Sequence, residues 1–239
     1  MGIGTGTSKR GFESIQAQQR PDALAALLLA AHQEGITWWD TSDDYGTHAH
    51  LRLALAEVAR ESVQVSTKSH AATADGVRHA VERALFELGL EWIDLFFMHD
   101  VDDPAEIAAR RGALEGLQRA RDEGLVRAIG LSTHNIDTLE ATVGLPGLDV
   151  IMTNFNRFED HMDAGLPHYV RALEAHHADG CGVAVMKAVG EGRLAHVAAE
   201  SIRWNLERPF VHSVLVGMET LGEVGANAAV ARAVAGLPK

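Results

Sequence analysis

The sequence predicts an α/β fold, a single closed (β/α)8 (TIM) barrel over residues 1–239, and three observations carry that expectation. Short apolar runs alternate with longer segments of helical periodicity eight times along the chain. The apolar runs are continuous, as in Leu95-Phe96-Phe97-Met98, which fits parallel strands covered on both faces. No linker, charge run or low-complexity segment divides the chain. An open doubly wound sheet satisfies the same pattern, because periodicity does not register closure.

The elements come in a regular order. Residues 2–6, Gly-Ile-Gly-Thr-Gly, read as a short first strand. Their Gly-x-Gly spacing invites a dinucleotide reading, but that fingerprint needs a helix directly after the glycines, and residues 8–19 are polar. Pro21 and Asp22 open a helix over 23–34 with Leu24, Leu27, Leu28 and Ala31 on one face, and Gly35 stops it. Strand 36–39 leads into the loop Asp40–Tyr45 and a helix over about 47–60. Strand 63–67 ends on Lys68 and precedes a helix over 74–88. Strand 93–98 ends on His99, and Pro104 introduces a helix over 105–123 closed by Gly124. Strand 126–131 runs into Ser132 and a short helix near 138–143. Strand 150–153 enters Asn154 and the loop to Phe158, and Pro167 starts a helix to about 179. Strand 183–186 gives way to Lys187, a glycine turn at Gly190 and Gly192, and a helix to about 206. Strand 211–216 ends at Gly217, before a last helix to about 235.

Composition is that of a globular protein with a real core: 46% of residues are hydrophobic and 23% charged. The formal net charge of −12 argues against nucleic acid or an anionic membrane surface as partner. Cys181 is the lone cysteine, which excludes an intramolecular disulfide and points to a cytoplasmic setting. No apolar run approaches the ~20 residues of a membrane span. His48, His50, His134, His161, His176 and His177 lack a ligand spacing with acidic partners, so no metal is expected.

In a closed barrel the loops after the strands form one face, where active sites lie. Asp40, Tyr45, Lys68, His99, Ser132, Asn154, Lys187 and Gly190 all fall there. Taken singly, each has a plain structural reading: Asp40 as a helix cap, Tyr45 as a surface loop residue, Lys68 as a solvated strand end, His99 as a core histidine. Together, at the ends of three successive strands, they suit one reaction. A phenol with a pKa near ~10 becomes a useful acid when a neighbouring cation stabilises its phenolate. Lys68 supplies the cation, Asp40 keeps it charged, and His99 orients a substrate oxygen. The set suits protonation of a carbonyl oxygen that is gaining negative charge.

Asp40-Thr41-Ser42-Asp43-Asp44-Tyr45-Gly46, Ser66-Thr67-Lys68, Asp94-Leu95-Phe96-Phe97-Met98-His99 and Gly130-Leu131-Ser132 resemble the successive signatures of the aldo/keto reductase superfamily. The resemblance keeps its order through nearly the whole chain, to Val216-Gly217 and Asn227. It implies that Tyr45 is the general acid, tuned by Lys68 and Asp40, with His99 orienting a small-molecule carbonyl substrate. It implies a nicotinamide dinucleotide, NADPH or NADH, lying across the barrel mouth. Ser132 would hold the carboxamide, the turn Gly190–Gly192 with Arg193 would receive the pyrophosphate at a helix N-terminus, and Gly217 to Asn227 would flank the adenosine. Met186-Lys187-Ala188-Val189-Gly190 is similar to a Met-Lys-x-Leu-Gly-type loop of one branch.

Departures from the pattern shape the expectation. The glutamine that commonly holds the carboxamide aligns with Met152, leaving Asn154, on the same strand face, as the substitute. Met186 stands where an aromatic residue often stacks on the nicotinamide. Met218, Glu219, Thr220 and Glu223 occupy the region that grips a 2′-phosphate, so the grip on NADPH is weakened or reversed toward NADH. Phe12, Trp38, Phe155 and Phe158 are the apolar candidates around the substrate pocket. Two other functions remain open, a non-redox barrel enzyme with Lys68 as a Schiff-base lysine and a nucleotide-binding barrel without turnover. The sequence specifies no substrate, direction or oligomeric state.

Overall fold

The computed structural model describes residues 1–7 and 14–237. Strands β1 (Gly2–Gly4), β2 (Trp38–Asp40), β3 (Gln64–Ser69), β4 (Ile93–Met98), β5 (Val126–Thr133), β6 (Val150–Asn154), β7 (Gly182–Met186) and β8 (Ser213–Gly217) close into a barrel in sequence order. Every neighbouring pair is parallel, and β8 pairs back onto β1, so the sheet has no edge. Closure excludes the open sheet. The helices outside are α1 (Pro21–Gln33), α2 (His48–Leu55), α3 (Ala74–Leu88), α4 (Pro104–Ala109), α5 (Arg111–Asp122), α6 (Ile136–Ala141), α7 (Leu166–Ala178), α8 (Ala198–Leu206) and α9 (Leu221–Ala235). Their ends obey local chemistry: the Thr73 hydroxyl caps α3, which stops at left-handed Gly89, and Thr220 and Glu223 form a capping box on α9.

Strand alternation divides the core in two. Outward residues such as Trp39, Val65, Phe96 and Ile129 are buried under the helices. Inward ones, Phe97, Met152, Ala184 and Leu215 with Trp38, Leu95, Val150 and Met186 against them, fill the barrel. Register places Asp40 beside Ser66 and Lys68 beside Phe97, all on the inward parity. The barrel interior is therefore apolar at the amino-terminal end and polar at the other, on the side of β2 and β3. A cavity of about 380 Å³ opens at the amino-terminal end, lined by Met1, Trp38, Leu95, Val150, Ala184 and Ser213 among others.

Several sequence expectations shift. Strand β3 extends through Ser69 and β5 through Thr133, so Lys68 and Ser132 lie within strands and not beyond them. The helix expected over 105–123 is two helices that part at Arg110 (φ −100°, ψ 19°). The helix expected directly after Gly192 is replaced by turns of 3-10 helix at Gly190–Gly192 and Ala195–Val197, and α8 begins only at Ala198. Helix α2 ends at Leu55, five residues short of the expected 60. Among the described residues no helix is long and apolar enough to cross a membrane.

Candidate active site

Four strand ends and one loop build the polar rim. Asp40 ends β2 and Lys68 stands near the end of β3, both almost fully buried. The Lys68 Nζ donates to Asp40 Oδ2 at 2.5 Å and to the Thr41 carbonyl at 2.8 Å, and the Ser66 hydroxyl donates to Asp40 Oδ1 at 2.6 Å. Trp38 extends the chain, its indole N–H donating to the Ser66 hydroxyl at 2.8 Å. Burial pushes the Lys68 ammonium toward neutrality, but Asp40 and Tyr45 outweigh it and raise the pKa above the ordinary lysine value. Lys68 is a fixed cation. The loop after β2 turns Tyr45 back over it, with Nζ 4.8 Å from the ring centroid.

His99 comes directly after β4. Its Nε2 lies 3.4 Å from the Tyr45 hydroxyl and its Nδ1 3.1 Å from the Ser42 hydroxyl, with the two rings edge to face. Burial first, then Lys68 and its neighbours His70, His134 and Arg110, push the imidazole pKa down to about 2 and hold the ring neutral. Burial likewise pushes the Tyr45 phenol up to about 12, against the downward pull of Lys68 and with the help of Asp40, Asp100 and Asp44. At neutral pH the rim thus holds a protonated phenol with a neutral imidazole and a cation both beside it.

Sequence reasoning missed the groups that fix this arrangement. Arg110 is buried, and its guanidinium donates to the His99 carbonyl at 2.7 Å and to the Ser69 carbonyl at 3.1 Å, joining the ends of β4 and β3. That inward turn explains the break between α4 and α5. No periodic signal distinguishes it, since an arginine suits any exposed helix position. Gly6 also escapes sequence reasoning, although its backbone is the surface on which the Tyr45 ring rests.

The remaining predicted site residues meet different surroundings. Ser132 is buried on the inward face of β5, where its hydroxyl accepts from the Asp100 N–H at 3.0 Å. Asn154 shares that face on β6 but donates its amide to the His161 carbonyl and accepts from Thr153 at 3.2 Å. Its side chain is spent on the loop below it. Lys187, in the left-handed region at φ 55°, pairs with Glu191 at 3.1 Å, and Arg193 pairs with Asp160 at 2.9 Å. Gly190 and Gly192 open no α-helix, because α8 starts six residues after Gly192. Gly217 ends β8, and Asn227 is buried in α9.

The apolar candidates divide similarly. Trp38 faces the cavity at the far end of the barrel, a correction to its expected place by the substrate, because the period-two alternation of a strand sends it inward two residues below Asp40. Phe155 is fully buried against Tyr169, Trp204 and Phe210. Phe158 is 43% exposed beside Arg157, and Phe12 lies outside the described residues. His48, His50 and His176 bond Glu87, the Gln19 carbonyl and the Leu139 carbonyl. Burial pushes the Cys181 thiol up to about 11, which makes it inert.

Comparison with known proteins agrees with this architecture. The profile of the Aldo/keto reductase family matches residues 1–197. A Glycine max protein named "Probable aldo-keto reductase 1" is 28% identical over 188 residues, 73% of this chain and 51% of that protein. The chain spans about half the length of that curated relative. A structure from Pseudomonas aeruginosa assigned to the aldo-keto reductases matches with a TM-score of 0.80 at 22% identity, over 98% of this chain and 89% of that one. An aldo-keto reductase from Klebsiella pneumoniae in complex with NADPH gives 0.74 at 20% identity, over 96% and 84%. These structures share the fold. With a closed parallel barrel and a family profile that takes in β1 through β7, this chain belongs to the aldo/keto reductase family.

Proposed function

We propose that the protein reduces an aldehyde or ketone to an alcohol, or runs the reverse oxidation, with NADH or NADPH as hydride carrier. The observation that carries this reading is the convergence of the Tyr45 hydroxyl, the His99 imidazole and the Lys68 ammonium on one point of the rim. A carbonyl oxygen seated there accepts from Tyr45 and from the Nε2–H of His99, whose neutral ring cannot compete as an acid. Tyr45 holds its proton until the oxygen gains charge, and Lys68 then stabilises the phenolate left behind. A bound nicotinamide would supply the hydride. Ser132 fits its carboxamide, being buried and on the inward face, whereas Asn154 does not, because its amide is already committed. Lys187 and Arg193 fit a pyrophosphate by exchanging Glu191 and Asp160 for it.

The Schiff-base alternative needs Lys68 as a free amine. Its ammonium is held by Asp40 and the Thr41 carbonyl, which speaks for the redox reading. Titration with NADH and NADPH, then carbonyl-dependent nucleotide oxidation, tests the proposal. The expected result is turnover that Tyr45→Phe abolishes while nucleotide binding survives. Binding with no turnover across a broad carbonyl panel, or a borohydride-trapped adduct at Lys68, refutes it.

A further inference from the structure

We propose that Asp44, His70 and His99 form a binding site for a divalent ion of the zinc class at the barrel rim, and that the ion inhibits the enzyme by occupying His99. The three residues come from three different loops, after β2, β3 and β4, yet one ligand atom of each lies within 4.8 Å of the other two. Asp44 is the hub. Its Oδ2 is 3.3 Å from His70 Nε2, and its Oδ1 is 3.7 Å from His99 Nδ1. A tetrahedral zinc ion with bonds of about 2.0–2.1 Å holds its ligand atoms about 3.3 Å apart. The Asp44–His70 pair already has that separation, and the set of three, within 4.8 Å, reaches it by side-chain rotation of the two exposed ligands. Two imidazoles and one carboxylate form a borderline-soft set that selects zinc over magnesium or calcium.

The surroundings fit the same use. The side chains of Asp44 and His70 are 48% and 50% exposed and that of His99 only 5%, so an ion has a path from solvent to an anchored ligand. The His70 and His99 rings lie close, with centroids 4.4 Å apart. On the far side of His99, Asp100 Oδ1 stands 3.5 Å from Nε2, the carboxylate partner that commonly orients a metal-bound imidazole. Three protein ligands leave a fourth position to water. An ion on Nδ1 displaces the Ser42 hydrogen bond that sets the ring toward Tyr45, and carbonyl orientation is lost with it.

The inhibitory half rests on the reductase reading, and the binding half does not. The experiment measures zinc affinity of untagged protein by competition with a chromophoric chelator, alongside zinc inhibition of carbonyl reduction, for the wild type, His70→Ala and Asp44→Asn. Expected are one zinc bound per chain by wild type, affinity at least about tenfold lower in each variant, and relief of inhibition in both. Absence of zinc binding, or equal affinity in all three proteins, overturns the site. Zinc bound through these residues without inhibition, in a protein that does turn over, overturns the regulatory half. Zinc bound through them in a protein with no turnover leaves the site standing and refutes the reductase reading.

Discussion

Gly6 and Tyr45 are in such close contact that a Cβ on Gly6 would stand 2.1 Å from Cε2 and 2.3 Å from Cζ of the phenol. The ring proposed to donate the proton is thus positioned by bare backbone, and Gly6 is the residue that makes room for it. Gly6→Ala is expected to push the ring off the point it shares with His99. A displacement of about 1 Å costs on the order of 10²-fold in turnover, against a stability loss of about 1–3 kcal/mol for overpacking. The check is carbonyl reduction and a urea unfolding curve on the same variant. Wild-type kcat in a folded variant would show that the Tyr45 position is not set by Gly6.

His99 gives the fold a pH dependence of known sign. The folded protein holds it neutral down to a pKa of about 2, while the unfolded chain has the ordinary value near ~6.5. Below pH ~6.5 the unfolded state takes up a proton that the folded state refuses. The stability is complete above that pH and is lost as pH falls toward 2, amounting to about 2 kcal/mol at pH 5. Burial lowers His48, His161, His176 and His212 in the same direction, so wild type loses more than this. The His99→Gln variant isolates the share of His99: its drop in unfolding free energy between pH 7.5 and 5.0 is expected to be smaller than wild type's by about 2 kcal/mol. An unchanged drop would mean that His99 protonates freely in the folded state.

One physical rule makes the site legible in the sequence. In a parallel barrel every inward strand residue near the carboxyl end reaches the same mouth, so Asp40, Lys68, His99 and Ser132 are readable as a group from strand pattern alone. The glycines of the first strand and its loop are not, because their reason lies in neighbours distant in sequence: a Cβ on Gly2 would meet the Trp38 ring at 2.5 Å, as one on Gly6 would meet Tyr45. Arg110 hides inside a helical pattern. Asp44 and His70 hide for a related reason, since metal spacing is sought along one element and theirs exists only across loops. The turn at Gly190–Gly192 departs from its expected α-helix because glycine marks a break without specifying the element beyond it.

The pair Asp40–Lys68 is buried on both sides, with side chains 2% and 3% exposed. Lys68→Met is expected to destabilise the protein by about 3–5 kcal/mol, since it strands the Asp40 carboxylate beside Ser66 with no cation. Asp40→Asn/Lys68→Met removes both charges and is expected to recover most of that loss while remaining inactive. A double-mutant cycle in urea, with Asp40→Asn as the other single variant, measures the coupling. A coupling near zero would show that the pair contributes nothing to holding β2 against β3.

Under the proposed reading, cofactor preference is expected to turn on Glu223. Its carboxylate accepts from the Glu219 N–H at 2.7 Å and the Thr220 N–H at 3.1 Å, completing the capping box at the start of α9. If the adenosine end lies along Gly217 to Asn227, those amides are already given to a carboxylate, and a 2′-phosphate would meet a like charge there. Repulsion at about 4 Å in water is worth about 1 kcal/mol, or roughly fivefold in affinity, so NADH is expected to bind more tightly than NADPH. Glu223→Gln keeps the hydrogen-bond acceptor and removes the charge. It is expected to improve NADPH binding about fivefold, leave NADH nearly unchanged, and cost at most about 1 kcal/mol in the α9 cap. Dissociation constants for both nucleotides at one low salt concentration, with wild type and variant side by side, decide the matter. A strong NADPH preference in wild type would place the phosphate elsewhere on the rim, with Arg193, now paired with Asp160, a cation to examine.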